Sequence, residues 1–155
     1  VDQRTGGRRI GKLAEETAAL RQQGLIRHLG LSGVSDTQLT EAQAIAPVVT
    51  VQNLYDLAHR ADDALVDRCA AENIAYAAFF PLGGFSPLQS QELTTVAERS
   101  GASRQQVALA WLLQRSASMV LLPGTSSPAH LRDNSAAADL ALPADAVTAL
   151  DAIGT

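Results

Sequence analysis

Ile74-Ala75-Tyr76-Ala77-Ala78-Phe79-Phe80-Pro81-Leu82-Gly83-Gly84 decides the architecture of this chain. The run is apolar through Phe80 and stops at a proline, which has no N–H to give a sheet ladder. It therefore predicts a buried strand over 74–80 with a glycine-bearing turn behind it. Just upstream, Asp62 and Asp63 suit the positive end of a helix that continues through Leu65, Val66 and Cys69 to Glu72. Downstream, two helical patterns precede the next strand. One spans Ser90 to Ser100; the other opens with Ser103 and Gln106, a capping box, and runs through Val107, Leu109, Ala110 and Trp111 to Arg115. Met119 to Leu122 is the last strand expected.

The same alternation extends in both directions. Ile10, Leu13, Ala14, Thr17 and Leu20 recur at helical spacing before Gly24, and Arg27 to Leu31 reads as a short strand. Ser35 and Gln38 cap a helix through Ala44, and the β-branched run Val48 to Gln52 predicts another strand. At the far end, Ser127-Pro128 gives an N-cap with proline at the first helical position, and Pro143 starts a helix through Val147 and Leu150. Apolar strands separated by helices imply an α/β fold, a parallel sheet with right-handed crossovers. No repeat, low-complexity tract or linker divides residues 1–155, which read as a single domain.

Composition narrows the function. The 155 residues are 46% hydrophobic, enough for one core, with a formal charge of -4. Arg4, Arg8 and Arg9 form the one basic cluster, expected as a solvated loop, so a nucleic-acid partner is not expected. The single cysteine, Cys69, excludes an internal disulfide and reads as a small core residue. No stretch approaches the roughly 18 apolar residues of a membrane span, and Val1-Asp2-Gln3-Arg4 does not open a signal peptide, so a cytoplasmic protein is expected. An eight-unit βα barrel needs roughly 250 residues. Four parallel strands cannot close one, and would leave two sheet edges open.

In parallel βα folds, ligands meet the carboxyl ends of the strands, and the candidate motifs lie there. In Leu122-Pro123-Gly124-Thr125-Ser126-Ser127-Pro128, free helix N–H groups and three hydroxyls could hold a phosphate, with His130 and Arg132 nearby; an ordinary capped turn explains the same residues. Gln52, at a strand end, offers both donor and acceptor, as a cofactor ligand or as a structural glutamine. Taken alone, Phe79 and Phe80 read more readily as core residues than as an aromatic platform for a cofactor. No G-x-G-x-x-G and no G-x-x-x-x-G-K-[ST] occurs, which removes the Rossmann and P-loop alternatives.

Taken jointly, Gly30-Leu31-Ser32, Gln52 in Val51-Gln52-Asn53, Phe79 to Gly84 and Leu122 to Pro128 resemble the C-terminal half of an aldo-keto reductase, across essentially the whole chain. That family is an eight-stranded parallel barrel, a (β/α)8 TIM barrel, that reduces carbonyls with a nicotinamide cofactor. The resemblance implies NADP (NADPH) as cofactor, with NAD as the alternative, and a small-molecule carbonyl substrate. It places Ser32 and Gln52 on the nicotinamide carboxamide and Phe79 against the nicotinamide ring. Phe80, Pro81, Leu82 and Gly84 would flank the pyrophosphate, and Gly124, Thr125, Ser126, His130, Asp133 and Asn134 would hold the adenosine phosphate and adenine. Three positions depart from the family pattern. Gly33 stands where an asparagine is expected, Gly124 where a basic residue is frequent, and His130 where an arginine is often found.

The family's catalytic aspartate, tyrosine, lysine and histidine lie in the N-terminal half of the barrel, and none has a counterpart here. Val1-Asp2 resembles the residues just after that histidine, and Tyr55, Tyr76, His28, His59 and Lys12 lie in the wrong segments. The expectation is thus no catalytic residue in this chain and a fragment whose partner is the missing N-terminal half. The alternative is a noncatalytic dinucleotide-binding half-barrel that pairs with a second half-barrel. Ala58 to Asp63 and Phe79 to Phe85 further resemble a bacterial subgroup that includes pyridoxal reductases, which implies pyridoxal as substrate.

Overall fold

A computed structural model describes residues 8–84 and 90–154. The expectations resting on Val1-Asp2, Arg4 and Phe85 lie outside them. In chain order the elements are α1 (Arg8–Gln22), β1 (Leu29–Ser32), α2 (Asp36–Gln43), β2 (Val48–Leu54), α3 (Asp63–Ala71), β3 (Ala75–Phe79), α4 (Gln91–Ser100), α5 (Arg104–Arg115), β4 (Met119–Leu122), α6 (Pro128–Ala136) and α7 (Ala144–Asp151). Short 3-10 turns follow α6 and α7. The strands form one sheet in the order β1-β2-β3-β4, and every pairing is parallel.

The local signals expected from sequence act where they stand. Ser35 and Ser103 each accept from the backbone N–H three residues on, while Gln38 and Gln106 accept from the cap N–H in return, two complete capping boxes. Ser127 accepts from the His130 N–H, with Pro128 at the first helical position. Some boundaries move. β1 starts at Leu29 rather than Arg27, and β2 runs two residues past Gln52 because Asn53 and Leu54 still pair with Ala78 and Phe79. Arg8 and Arg9, expected in a loop, open α1. The buried stripe of α1 is Ile10, Ala14 and Ala18, leaving Leu13 and Leu20 exposed.

The two faces of the sheet differ. Leu31, Val51, Tyr76, Ala78 and Met119 point to the helices and are buried, joining Leu39, Val66, Val96, Trp111 and Leu112 in one core. Each fully buried aliphatic side chain there contributes about 1.5–3 kcal/mol. Alternation sends Gly30, Ser32, Gln52, Leu54, Ala77, Phe79, Val120 and Leu122 to the opposite face. Among the described residues no helix covers that face: Val120 and Leu122 stay 46% and 43% exposed although both are strand residues. Glycine at position 30 is required there, since a Cβ would meet the Thr50 Cγ2 at 2.4 Å.

Candidate functional site

The uncovered face carries the candidate residues at the carboxyl ends of all four strands. Ser32 ends β1, and its register partner is Gln52, whose other neighbour is Ala77 on β3. Phe79 ends β3 between Leu54 on β2 and Leu122 on β4. The Ser32 hydroxyl and the Gln52 carboxamide are each partly buried, and neither makes a hydrogen bond among the described residues. An amide donor, an amide acceptor and a hydroxyl therefore stand opposite one another on adjacent strands with their capacity open, a set that could hold a planar carboxamide ligand.

The β3 turn places an aromatic corner beside them. The Phe79 and Phe80 rings meet edge to face, 5.4 Å apart. Phe80 takes a left-handed backbone, φ +53°, and remains 47% exposed. Gly83 donates to the Phe80 carbonyl at 2.9 Å, closing the turn around Pro81 and Leu82. Gly84 is glycine for two local reasons, a φ of +59° and a Phe80 ring carbon 2.9 Å from where its Cβ would be.

The β4 loop differs in being open. A Cβ on Gly124 would meet nothing within 4 Å. The Ser127 N–H donates to Thr125 Oγ1 at 3.1 Å, while Ser126 and the His130 side chain are exposed. Asp133 turns toward α5, where its carboxylate accepts from the Ser103 hydroxyl at 3.2 Å and its backbone carbonyl accepts from Gln106 Nε2 at 3.3 Å. Asn134 is half-buried one residue on. Ser32 and Gln52 are thus joined by strand register, Phe79 lies two residues beyond their register neighbour Ala77 on the same face, and Thr125 to Asn134 belong to the separate β4 loop and α6.

Behind the sheet lies a polar network that the sequence motifs do not announce. Asn53, buried on the helix side, accepts from the Val34 N–H at 3.0 Å and donates to the Val34 carbonyl at 2.7 Å. The same amide nitrogen donates to Asp62 Oδ2 at 2.6 Å, which also accepts from the Tyr76 hydroxyl at 2.8 Å. Tyr55 donates to Asp63, which Arg60 also grips at 2.9 Å, and Arg60 lies over the Trp111 ring. Burial, reinforced by the bond to Asp63, pushes the Tyr55 hydroxyl up to about 12. Burial and the bond to Asp62 raise Tyr76 as well. Both tyrosines face away from the candidate site and hold their protons, and Lys12 pairs with Glu16 on α1. None of them forms an acid-base group on the uncovered face. Cys69 is fully buried, and burial raises its thiol to about 11, as expected of a core residue. Among the described residues no group of three His, Cys, Asp or Glu could hold a metal, and no helix is long and apolar enough to cross a membrane.

Residues 9–155 match the aldo/keto reductase family. The chain belongs to it. This aldo-keto reductase chain is 57% identical, over 136 residues, to pyridoxine 4-dehydrogenase of Escherichia coli; the match covers 88% of this chain and 48% of that protein. An oxidoreductase of Schizosaccharomyces pombe is 39% identical over 140 residues, covering 90% of this chain and 46% of the other. Among solved structures, a thermostable aldo-keto reductase bound to the inhibitor epalrestat superposes with a TM-score of 0.86 at 27% identity, covering 99% of this chain and 57% of that one. The chain therefore spans about half the length of the curated relatives it matches, and its sheet is part of an aldo-keto reductase barrel.

Proposed function

We propose that this chain is the cofactor-binding half of an NADP-dependent carbonyl reductase whose substrate is pyridoxal. The observation that carries the reading is the register pair Ser32 and Gln52, two polar side chains with open hydrogen-bonding capacity at the carboxyl edge of an uncovered parallel sheet. When bound, NADPH supplies a hydride for a carbonyl carbon. Ser32 and Gln52 hold the nicotinamide carboxamide, and Phe79 presents a flat apolar face to the ring beside it. Phe80, Pro81, Leu82 and Gly84 line the pyrophosphate. Gly124, Thr125, Ser126 and His130 receive the adenosine phosphate, and Asp133 with Asn134 reaches the adenine. Neither Tyr55 nor Tyr76 supplies the proton that completes the alcohol, because both are locked behind the sheet with their hydroxyls already donated. Identity of 57% to a pyridoxine 4-dehydrogenase supports a pyridoxal-pyridoxine couple.

The test uses protein expressed from the complete gene. NADPH is titrated, and pyridoxal reduction is followed by the loss of reduced-nicotinamide absorbance. Gln52→Ala and Ser32→Ala are each expected to weaken NADPH binding roughly tenfold, the loss of one or two buried hydrogen bonds. Wild-type affinity in both variants removes the cofactor assignment, and NADPH binding without pyridoxal turnover removes the substrate.

A further inference from the structure

We infer that Asn53, held by Asp62 and Tyr76, is a positioning residue for the Ser32–Gln52 pair, an inference that rests on the cofactor reading above. The three residues lie on the helix side of the sheet and touch nothing on the uncovered face. Their effect runs through the backbone. Asn53 follows Gln52 directly, so its side chain points to the opposite face, where it clamps both the N–H and the carbonyl of Val34. Val34 lies two residues after Ser32, beyond Gly33, which has a φ of +64° and donates its N–H to the Gln52 carbonyl at 2.9 Å. One side chain thus fixes the strand exit that carries Ser32 to the strand that carries Gln52.

The clamp is itself oriented. An amide can present its oxygen or its nitrogen, and Asn53 must present the oxygen to the Val34 N–H and the nitrogen to the Val34 carbonyl. Asp62 Oδ2 accepts from that nitrogen, which selects this flip, and the Tyr76 hydroxyl holds the same carboxylate oxygen. Asn53 is 6% exposed and Tyr76 fully buried, so both donors reach the half-buried Asp62 carboxylate from inside the fold. This also accounts for Asp62 making no side-chain cap to α3 although it occupies the cap position. The Asn53 amide uses its donors and acceptor on the loop and Asp62, and the flexible Gly33 is pinned on both sides.

The variants are Asn53→Ala, Asn53→Asp and the milder Tyr76→Phe, which keeps the ring and removes one bond, all made in protein expressed from the complete gene. Two probes are titrated: NADPH, and adenosine 2′,5′-bisphosphate, which lacks the nicotinamide and engages only the β4 loop and α6. The expected result is a loss of roughly tenfold in NADPH affinity for Asn53→Asp and a smaller loss for Tyr76→Phe, with the bisphosphate bound as in wild type. Asp62→Asn keeps an acceptor oxygen for both neighbours and is expected to bind NADPH within about twofold of wild type. An equal loss for both probes means general destabilisation and overturns the proposal, as does NADPH affinity unchanged in Asn53→Ala and Asn53→Asp. Wild-type protein that binds neither probe overturns instead the cofactor reading on which it rests.

Discussion

Gly30 and Thr50 are register partners across β1 and β2, and a Cβ on residue 30 would stand 2.4 Å from the Thr50 Cγ2 and 3.4 Å from the Thr50 carbonyl. Thr50 is β-branched, so its methyl cannot swing clear at low cost. Gly30→Ala is expected to destabilise the fold by about 1–3 kcal/mol through overpacking. Thr50→Ala in the same molecule removes the methyl and should restore most of the loss. Denaturant unfolding of the two single variants and the double variant measures the coupling. Strict additivity would place the clash elsewhere.

The β3 turn makes a similar demand with a functional consequence. Phe80 and Gly84 both have left-handed backbones, and the Phe80 ring lies where a Gly84 side chain would go. Gly84→Ala combines a strained φ with a ring clash and should lower stability by about 1–2 kcal/mol. If the turn lines the pyrophosphate, KM for NADPH rises in the same variant. A stability loss with an unchanged KM would confine Gly84 to shaping the turn.

How far the sequence could be read depended on whether a residue's role was local. Ser35 with Gln38, Ser103 with Gln106, and Ser127-Pro128 act within one helical turn, and each does in the structure what its spacing predicts. Met119–Leu122 is the strand that its apolar run predicts, whereas β3 covers Ala75–Phe79, one residue short of the predicted 74–80 at each end, because Phe80 turns into a left-handed backbone. Asp62 is only half legible. It stands at the positive end of α3 as its position before the helix predicts, but its carboxylate also bonds Asn53 and Tyr76, nine and fourteen residues away. Nothing in the spacing of Asn53, Asp62 and Tyr76 marks that meeting, because it depends on β2 and β3 being neighbours in the sheet. The pairing of Ser32 with Gln52 is likewise a product of register, which motif reading places at strand ends but not side by side. Leu54 escaped because β2 continues past the polar pair Gln52-Asn53, which reads as an end of the strand and is not.

Gly124 offers a gain-of-function test of the phosphate assignment. Its backbone is not left-handed, and a Cβ there meets nothing within 4 Å, so a side chain is tolerated without repacking. Gly124→Lys puts a cation on the β4 loop beside Thr125 and Ser126. A solvent-exposed charge pair contributes about 0.2–1 kcal/mol, so KM for NADPH should fall by a factor of roughly 1.4 to 5 while KM for NADH stays put. The advantage should fade as salt is raised. An equal change for both cofactors would mean that the loop does not contact the 2′-phosphate.

The bond from Tyr55 to Asp63 couples folding to pH at the alkaline end. Burial first, then the Asp63 contact, raises the Tyr55 hydroxyl to about 12, against roughly 10 in an unfolded chain. Between those values the unfolded state has released a proton that the folded state retains, so stability falls as pH climbs from about 10 toward 12. Below about 10 the contribution is fully present. Tyr76, raised in the same direction, adds to the fall. The opposite end of the same bond has the opposite sign. Burial disfavours the Asp63 carboxylate, but the Tyr55 hydroxyl and the Arg60 guanidinium outweigh it and hold the carboxyl below its usual range. That contribution is present above the unfolded carboxyl range and is lost as acid protonates Asp63. Tyr55→Phe should therefore be less stable than wild type at neutral pH, and the gap in unfolding free energy should narrow both above pH about 10 and in acid below about 4. Unfolding of both proteins across that range measures the gap, and a gap constant with pH would mean that the hydroxyl contributes packing alone.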